Sequence, residues 1–532
     1  MSTRALDEDR TSASGAVIAF PADVPAHGDG TLNIADRILR DAMDAGYADR
    51  ACLIDQASQW TYRALDERSN RIAHVLTYDF TIEPGDRIIL HAASSPMAVA
   101  CWLAVVKVGA VAVIAAPLLR ARELARVAKV SGARMCLCDA KLSRTVEEVR
   151  QRVPQLADII TFNGGFNDTD PDPLEARKAG KPKSFDASAT AAGDPCVIAF
   201  ATGDAGPARA AWHSHADMAA IVDATAAFLD LGPDDRVCGT LAACTTVGLT
   251  AMVLAPLSRG ASVHLAAEPT AVTLRRAMAQ DRATLCMTTP TLYRQLIAAG
   301  SRAGALPPLR KAISTGERLP PTTAGLCGAA LGTPLTDAVE ATEVGGIILA
   351  GEAGGPLRPL PGYQASVFTL DGTPNAIDIP GRLHVRGLSG GRVWQDDGRP
   401  AATRQDWCAT GDLCVSDGSG AVRLLGRLDD ALLPDGRILP LDTLEDTLLS
   451  HRGVADCAVL ASCGPDGEAA LHAFVAAAGD LPDPRLEDRL KGAIAGMLDG
   501  FGGAPIALRL HLMERLPRSE GGKLQREKLP AA

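Results

Sequence analysis

Cys196-Val197-Ile198-Ala199-Phe200-Ala201-Thr202-Gly203-Asp204-Ala205-Gly206-Pro207-Ala208-Arg209-Ala210 is an apolar run that ends in a glycine-bearing turn. A helix is expected to open just beyond it, near His213. Strand, glycine-rich turn and helix is the usual setting for holding a nucleotide phosphate, because backbone N–H groups and the positive helix end meet the anion there. This turn keeps Gly203 and Gly206 but carries Asp204, no pair of threonines and no lysine. Arg209 is the cation that remains.

The surrounding chain alternates. Upstream, helical spacing is expected over 33–46, 61–76, 97–109 and Ala121–Ser131, and strands over 51–55, 59–62, 86–91, 110–115 and 133–138. Downstream, helices are expected at 215–229, at 248–258 and from Pro290, with strands at 235–239, 261–265, 282–287 and 309–314. Strands alternating with helices predict a mostly parallel sheet covered by helices. Residues 163–190, rich in Asp, Pro, Gly and Lys, read as a surface connection. From about residue 360 short alternating segments at 364–369, Gly381–Arg386 and 421–425 predict antiparallel ribbons. A compact unit follows: helix Leu441–Ser450, strands at 455–461 and 470–478, helix Leu486–Leu498 and strand Ala507–Met513. The fold class is α/β, with a large N-terminal domain of parallel-type sheets with helices plus a small β-ribbon subdomain, then a compact α+β C-terminal domain. The expected divisions are an arm at 1–30, the large domain at 31–428 and a small mobile domain at 429–532.

Composition narrows the partners. The chain has 532 residues, so two or more domains are expected. A net charge of -10 and the lack of a long Lys/Arg cluster argue against nucleic acid. No run of about 18 apolar residues suits a membrane span. The polar start lacks the pattern of a signal peptide, which suggests a cytoplasmic protein. The 13 cysteines sit mostly in apolar runs, as at Cys101 and Cys286, and read as small buried hydrophobes.

Several separated motifs carry a resemblance. They are Ala100-Cys101-Trp102-Leu103-Ala104-Val105-Val106-Lys107-Val108-Gly109, Pro117-Leu118-Leu119-Arg120, Ala341-Thr342-Glu343, Thr410-Gly411-Asp412, Gly426-Arg427-Leu428-Asp429-Asp430 and Pro517-Arg518-Ser519-Glu520-Gly521-Gly522-Lys523. In this order the chain resembles the adenylate-forming superfamily, above all its benzoate- and 2-aminobenzoate-CoA ligases. The resemblance implies that a small carboxylic acid is activated with ATP and Mg²⁺ as an acyl-adenylate. Rotation of the C-terminal domain then lets coenzyme A attack. It assigns Lys523 to the α-phosphate and the carboxylate oxygen, Glu343 to the magnesium ion and Thr342 to a phosphate. It assigns Asp412 and Arg427 to the ribose side, and Gly316, Glu317 and Asp337 to the adenine side. Asp429 is implied as the hinge, and Gly436 as the passage for the pantetheine arm. A homodimer is among the assemblies it implies.

The chemistry suits these roles. A carboxylate attacks a polyanion poorly, and a cation beside both lowers that barrier. Two carboxylate oxygens suit a vicinal diol, and magnesium takes hard oxygen ligands. The chain also departs from the family. Asp204 and Ala205 replace hydroxyl donors, and Arg209 replaces lysine, which differs in reach and geometry. Glu340 stands where the family has glycine. His213 is retained, while Thr245, Thr246 and Val247 stand where relatives of the benzoate type carry aromatics before the glycine matched by Gly248. Gly346 stands at a histidine position. These smaller side chains lead to the expectation of a roomier acyl pocket. The alternatives are a catalytically impaired homologue that binds ligand, or adenylation with transfer to a carrier protein.

Overall fold

The computed structural model describes residues 30–165, 170–201, 209–266, 268, 270–300, 306–389, 393–394, 407–433, 436–463, 469–478, 485–498, 506–518 and 523–530. Within them, alternating apolar strands and amphipathic helices build two large sheets, as the pattern predicts. In one, seven strands run in the order Val393–Trp394, Arg209–Ser214, Pro195–Ala201, Val111–Ala115, Arg87–His91, Met135–Asp139 and Asp158–Phe162. Pairing is parallel from Pro195–Ala201 to Asp158–Phe162. In the other, nine strands run in the order Arg358–Pro359, Gly346–Glu352, Leu335–Ala341, Lys311–Ser314, Leu285–Thr288, Arg236–Gly239, Ser262–His264, Ala51–Ile54 and Gln59–Thr61. Its central pairings are parallel.

Helix Pro96–Lys107 is buried along its whole length and belongs to the main apolar core. A helix that is apolar all round can only be a core helix. Ser95 caps it, accepting from the N–H of Ala98, and Pro96 fits its first turn. Its one cation, Lys107, is 2% exposed and donates to Asp66, Ser69 and Asn70 at 2.7, 2.9 and 2.6 Å. A buried ammonium needs that full set of acceptors. Twelve of the cysteines, Cys101 and Cys286 among them, are buried, in line with their reading as small hydrophobes.

Two expectations need correction. The glycine-bearing turn does not lead into a helix. It joins Pro195–Ala201 to Arg209–Ser214, an antiparallel partner whose Trp212 is buried in a second core cluster. The helix begins one strand later, at His215–Leu229, where Ser214 and Asp217 form a capping box. No helix N-terminus therefore follows the turn directly. Gly203 and Gly206 lie outside the described residues, and Arg209 is described only as the first residue of its strand. The connection at 163–190 also contains a short helix, Pro173–Lys178, started by Asp172 as cap and Pro173 at its first turn.

The ribbons form a four-stranded antiparallel sheet of Gln364–Phe368, Gly381–Arg386, Cys408–Ser416 and Val422–Arg427. The C-terminal unit is a three-stranded sheet, Val454–Cys463, Ala469–Ala477 and Ala507–Met513. Helices Leu441–Ser450 and Leu486–Leu498 complete it. Its apolar core includes Leu413, Val415 and Leu425 from the ribbon sheet. The core thus runs across the division expected at residue 428. Among the described residues no helix is long and apolar enough to cross a membrane.

Candidate active site

Three parallel strands end together. Leu285–Thr288 leads to Pro290 and Thr291, Lys311–Ser314 to Gly316, Glu317 and Arg318, and Leu335–Ala341 to Thr342 and Glu343. Their carboxyl ends form one wall of a cleft holding about 1410 Å³, open mouth included. Ligands in open α/β sheets collect at such strand ends. Thr410, Asp412, Gly426 and Arg427 of the ribbon sheet form the second wall. Asp456, Arg518, Lys523, Leu524 and Arg526 of the C-terminal unit close the third side. Of the residues expected at a site, Gly316, Glu317, Thr342, Glu343, Asp412, Arg427 and Lys523 thus meet in one cleft.

Asp412 and Arg427 face each other across antiparallel strands, and the guanidinium lies 3.1 Å from the carboxylate. Arg427 also donates to the Thr410 carbonyl at 3.1 Å. Gly411 permits this approach. It has φ +81°, and a Cβ there would lie 2.8 Å from the Arg427 guanidinium. Asp412 is therefore presented from a bulged strand.

Thr342–Val344 is a single tight turn directly after its strand, closed by Gly345 at φ +78°. His213, only 1% exposed, donates from Nε2 to the Thr342 carbonyl at 3.2 Å and so ties the two large sheets together behind that turn. Glu343 is buried on the cleft wall. Burial raises the Glu340 carboxyl above its ordinary range and Asp412 adds to this, while Lys523 and the Thr315 hydroxyl pull it down. Burial pushes Asp337 up to about 7, against the pull of Arg318 and the Ala338 N–H. Along this wall Ser314 Oγ, Asp337 Oδ1, Glu340 Oε2, Arg294 Nε and Arg318 Nε are buried with no hydrogen-bond partner. Orphaned polar atoms at a cleft are what a polar ligand would satisfy.

The C-terminal unit is held by charge pairings that local sequence reading did not foresee. Arg518 donates to Glu317 at 2.5 Å and to Asp456 at 2.6 Å. Arg294 donates to Asp456 at 3.0 Å and to the Thr291 hydroxyl at 3.3 Å. Thr291 in turn donates to Glu317 at 3.0 Å, which closes a ring. Beside it Arg318 grips Asp446 with both nitrogens, at 2.6 and 3.1 Å. Arg526 pairs with Glu445 and Asp430. The partners lie up to 201 residues apart, so no local spacing could announce them.

Other expected site residues stand elsewhere. Thr245 is exposed, and its hydroxyl accepts from the Gly248 N–H within a local turn. Val247 is core. A Cβ on Gly248 would strike the Ala242 carbonyl, and one on Gly346 would lie 2.8 Å from Ile221 Cγ2. The roomier pocket expected at Gly346 is therefore corrected: Ile221 fills that space. Asp429 is exposed on the short helix Leu428–Ala431. Gly436 sits on an exposed turn at φ +85°. Asp337 lies within the wall beside Ala338, which lines the cleft.

Strand order, cleft position and the charged closure by a smaller unit define an α/β enzyme with its site between two parts of the chain. The chain belongs to the AMP-binding enzyme family, whose model matches residues 40–392. It is 26% identical to benzoate–CoA ligase of Thauera aromatica, over 94% of this chain and 96% of that protein. The structure of the anthranilate CoA ligase AuaEII in complex with anthranoyl-AMP superposes with a TM-score of 0.83 at 22% identity, covering 94% of this chain and 96% of that one. A benzoate CoA ligase from Burkholderia xenovorans LB400 gives 0.80 at 24%, covering 93% and 99%.

Proposed function

We propose that this protein is an ATP-dependent acid–thiol ligase that converts a small carboxylic acid, aromatic in the first instance, to its coenzyme A thioester. The observation that carries this reading is the meeting of Lys523, Thr342, Glu343, Asp412 and Arg427 in one cleft. Similarity to ligases of benzoate and anthranilate, over 94% and 84% of this chain, supports it.

In this reading the Asp412 carboxylate accepts from the ribose hydroxyls, and Arg427, 3.1 Å away, orients it. Lys523 reaches into the cleft from the C-terminal unit and lies close enough to Glu340 to lower its pKa. Its ammonium holds the substrate carboxylate against the α-phosphate and offsets the charge that develops there. A carboxylate oxygen bonds to the α-phosphorus, the bond to the leaving pyrophosphate breaks, and an acyl-adenylate remains. A thiolate then bonds to the acyl carbon and AMP leaves. Glu343 supplies a hard oxygen ligand for magnesium, which neutralises phosphate charge when bound. The division at residue 428, with Asp429 as its hinge, belongs to the same proposal.

The test is pyrophosphate release with ATP, Mg²⁺ and a panel of benzoate, aminobenzoates, hydroxybenzoates and short aliphatic acids, followed by thioester detection with coenzyme A. Release with at least one acid is expected. No release with any acid, together with no ATP binding by calorimetry, overturns the proposal.

A further inference from the structure

Glu317 lies on the cleft wall, where the family resemblance assigns it to the adenine side, yet both of its carboxylate oxygens are already engaged. Oε1 accepts from the Arg518 guanidinium at 2.5 Å and from the Leu524 N–H at 2.8 Å. Oε2 accepts from the Thr291 hydroxyl at 3.0 Å. Burial opposes its charge, but Arg518, the Leu524 N–H and Thr291 outweigh that and hold the carboxyl below its ordinary range. It is thus an ionised acceptor with its hydrogen bonds in place before any ligand arrives.

The donors share one short segment. Arg518 and Leu524 pair as an isolated antiparallel bridge, and the Gln525 N–H donates to the Pro517 carbonyl at 2.9 Å. Lys523 sits inside that bridged segment, one peptide bond from the N–H that Glu317 holds. Arg518 is fixed from its other side by Asp456, which Arg294 also holds. These ring side chains are only 12–16% exposed, so their attraction is screened far less than that of a surface pair.

We propose that Glu317 is a positioning residue that docks Arg518 and Leu524 on the cleft wall and thereby sets where the Lys523 ammonium stands. The proposal rests on the ligase reading only for its kinetic consequence; the docking itself is a property of the chain. A lysine displaced by about 1 Å from a reacting centre costs up to about a hundredfold in rate. Glu317→Ala therefore slows acyl-adenylate formation by roughly ten- to a hundredfold at saturating substrates. The Kd for ATP stays within a few-fold, because Glu317 does not hold the nucleotide. Glu317→Gln keeps an acceptor for the Leu524 N–H and recovers part of the rate.

The deciding experiment has two arms on the full chain. Hydrogen exchange of the peptide spanning Leu524 is compared in the parent, Glu317→Ala and Arg518→Ala. Both variants are expected to lose protection there, and the double variant to lose no more than either single. Calorimetry with ATP and single-turnover acyl-adenylate formation form the second arm. Unchanged exchange at Leu524, or a tenfold rise in the ATP Kd with an unchanged rate at saturation, overturns the proposal and returns Glu317 to the nucleotide. If the parent makes no adenylate, the ligase reading fails, while the exchange arm still decides the docking.

Discussion

Asp337 turns the electrostatics of the cleft wall into a number. Its side chain lies in a strand at 8% residue exposure, and burial pushes the carboxyl from 3.8 to about 7. The folded chain then binds this proton more tightly than the unfolded chain does. Stability from this group is therefore highest at low pH, falls as pH rises through the window from about 3.8 to about 7, and is level above it. At about 1.4 kcal/mol per unit, the ionised group costs on the order of 4 kcal/mol at pH 8 and about 2 kcal/mol at pH 5.5. Asp337→Asn keeps the shape and removes the titration. For a cooperative unit of roughly 400 residues, with about 2.1 cal/mol/K of unfolding entropy per residue, 4 kcal/mol corresponds to about 5 °C. Calorimetric scans of both proteins across pH give the test. The variant should melt about 5 °C above the parent at pH 8 and about half that at pH 5.5. A gap that does not change with pH, or a variant less stable at pH 8, would refute the reasoning.

Three further outcomes follow from the geometry. Gly346→Ala pushes a methyl against Ile221 and should cost about 1–3 kcal/mol of stability. If chemical denaturation finds the variant as stable as the parent, Ile221 does not fill that space. Asp412→Asn weakens its pairing with Arg427 and removes the charged acceptor for the ribose, so calorimetry should give an ATP Kd at least about tenfold weaker, or about 1.4 kcal/mol. An unchanged Kd would take Asp412 out of the nucleotide site. Lys107→Met strands the Asp66 carboxylate beside the core and should lower stability by about 3 kcal/mol in urea. A loss below about 0.5 kcal/mol would mean that water already serves Asp66.

Much of this was legible from residue order. The apolar segment at 97–109 was read as a helix, and the helix at 215–229 was read close to its place. The Thr410-Gly411-Asp412 and Ala341-Thr342-Glu343 motifs did reach one cleft, because each sits at the end or bulge of a strand whose pattern is local. What stayed hidden depends on distance along the chain. The strand Arg209–Ser214, paired with Pro195–Ala201 and burying Trp212, comes between the glycine-bearing turn and the expected helix, and that long-range pairing has no local signal. Glu317, Asp456 and Arg518 are ordinary charges until tertiary structure brings them together. The space at Gly346 could not be read from the glycine, because a branched residue of helix His215–Leu229, Ile221, occupies it.

The central claim is that this cleft makes an acyl-adenylate with Lys523 at the reacting atoms. Quenched-flow detection of acyl-AMP without thiol, comparing the parent with Lys523→Ala on the best acid from the panel, tests it most directly. Adenylate is expected to accumulate in the parent, with a rate at least about a hundredfold lower in the variant and ATP binding nearly unchanged. Formation of acyl-AMP by Lys523→Ala at the parental rate would contradict it.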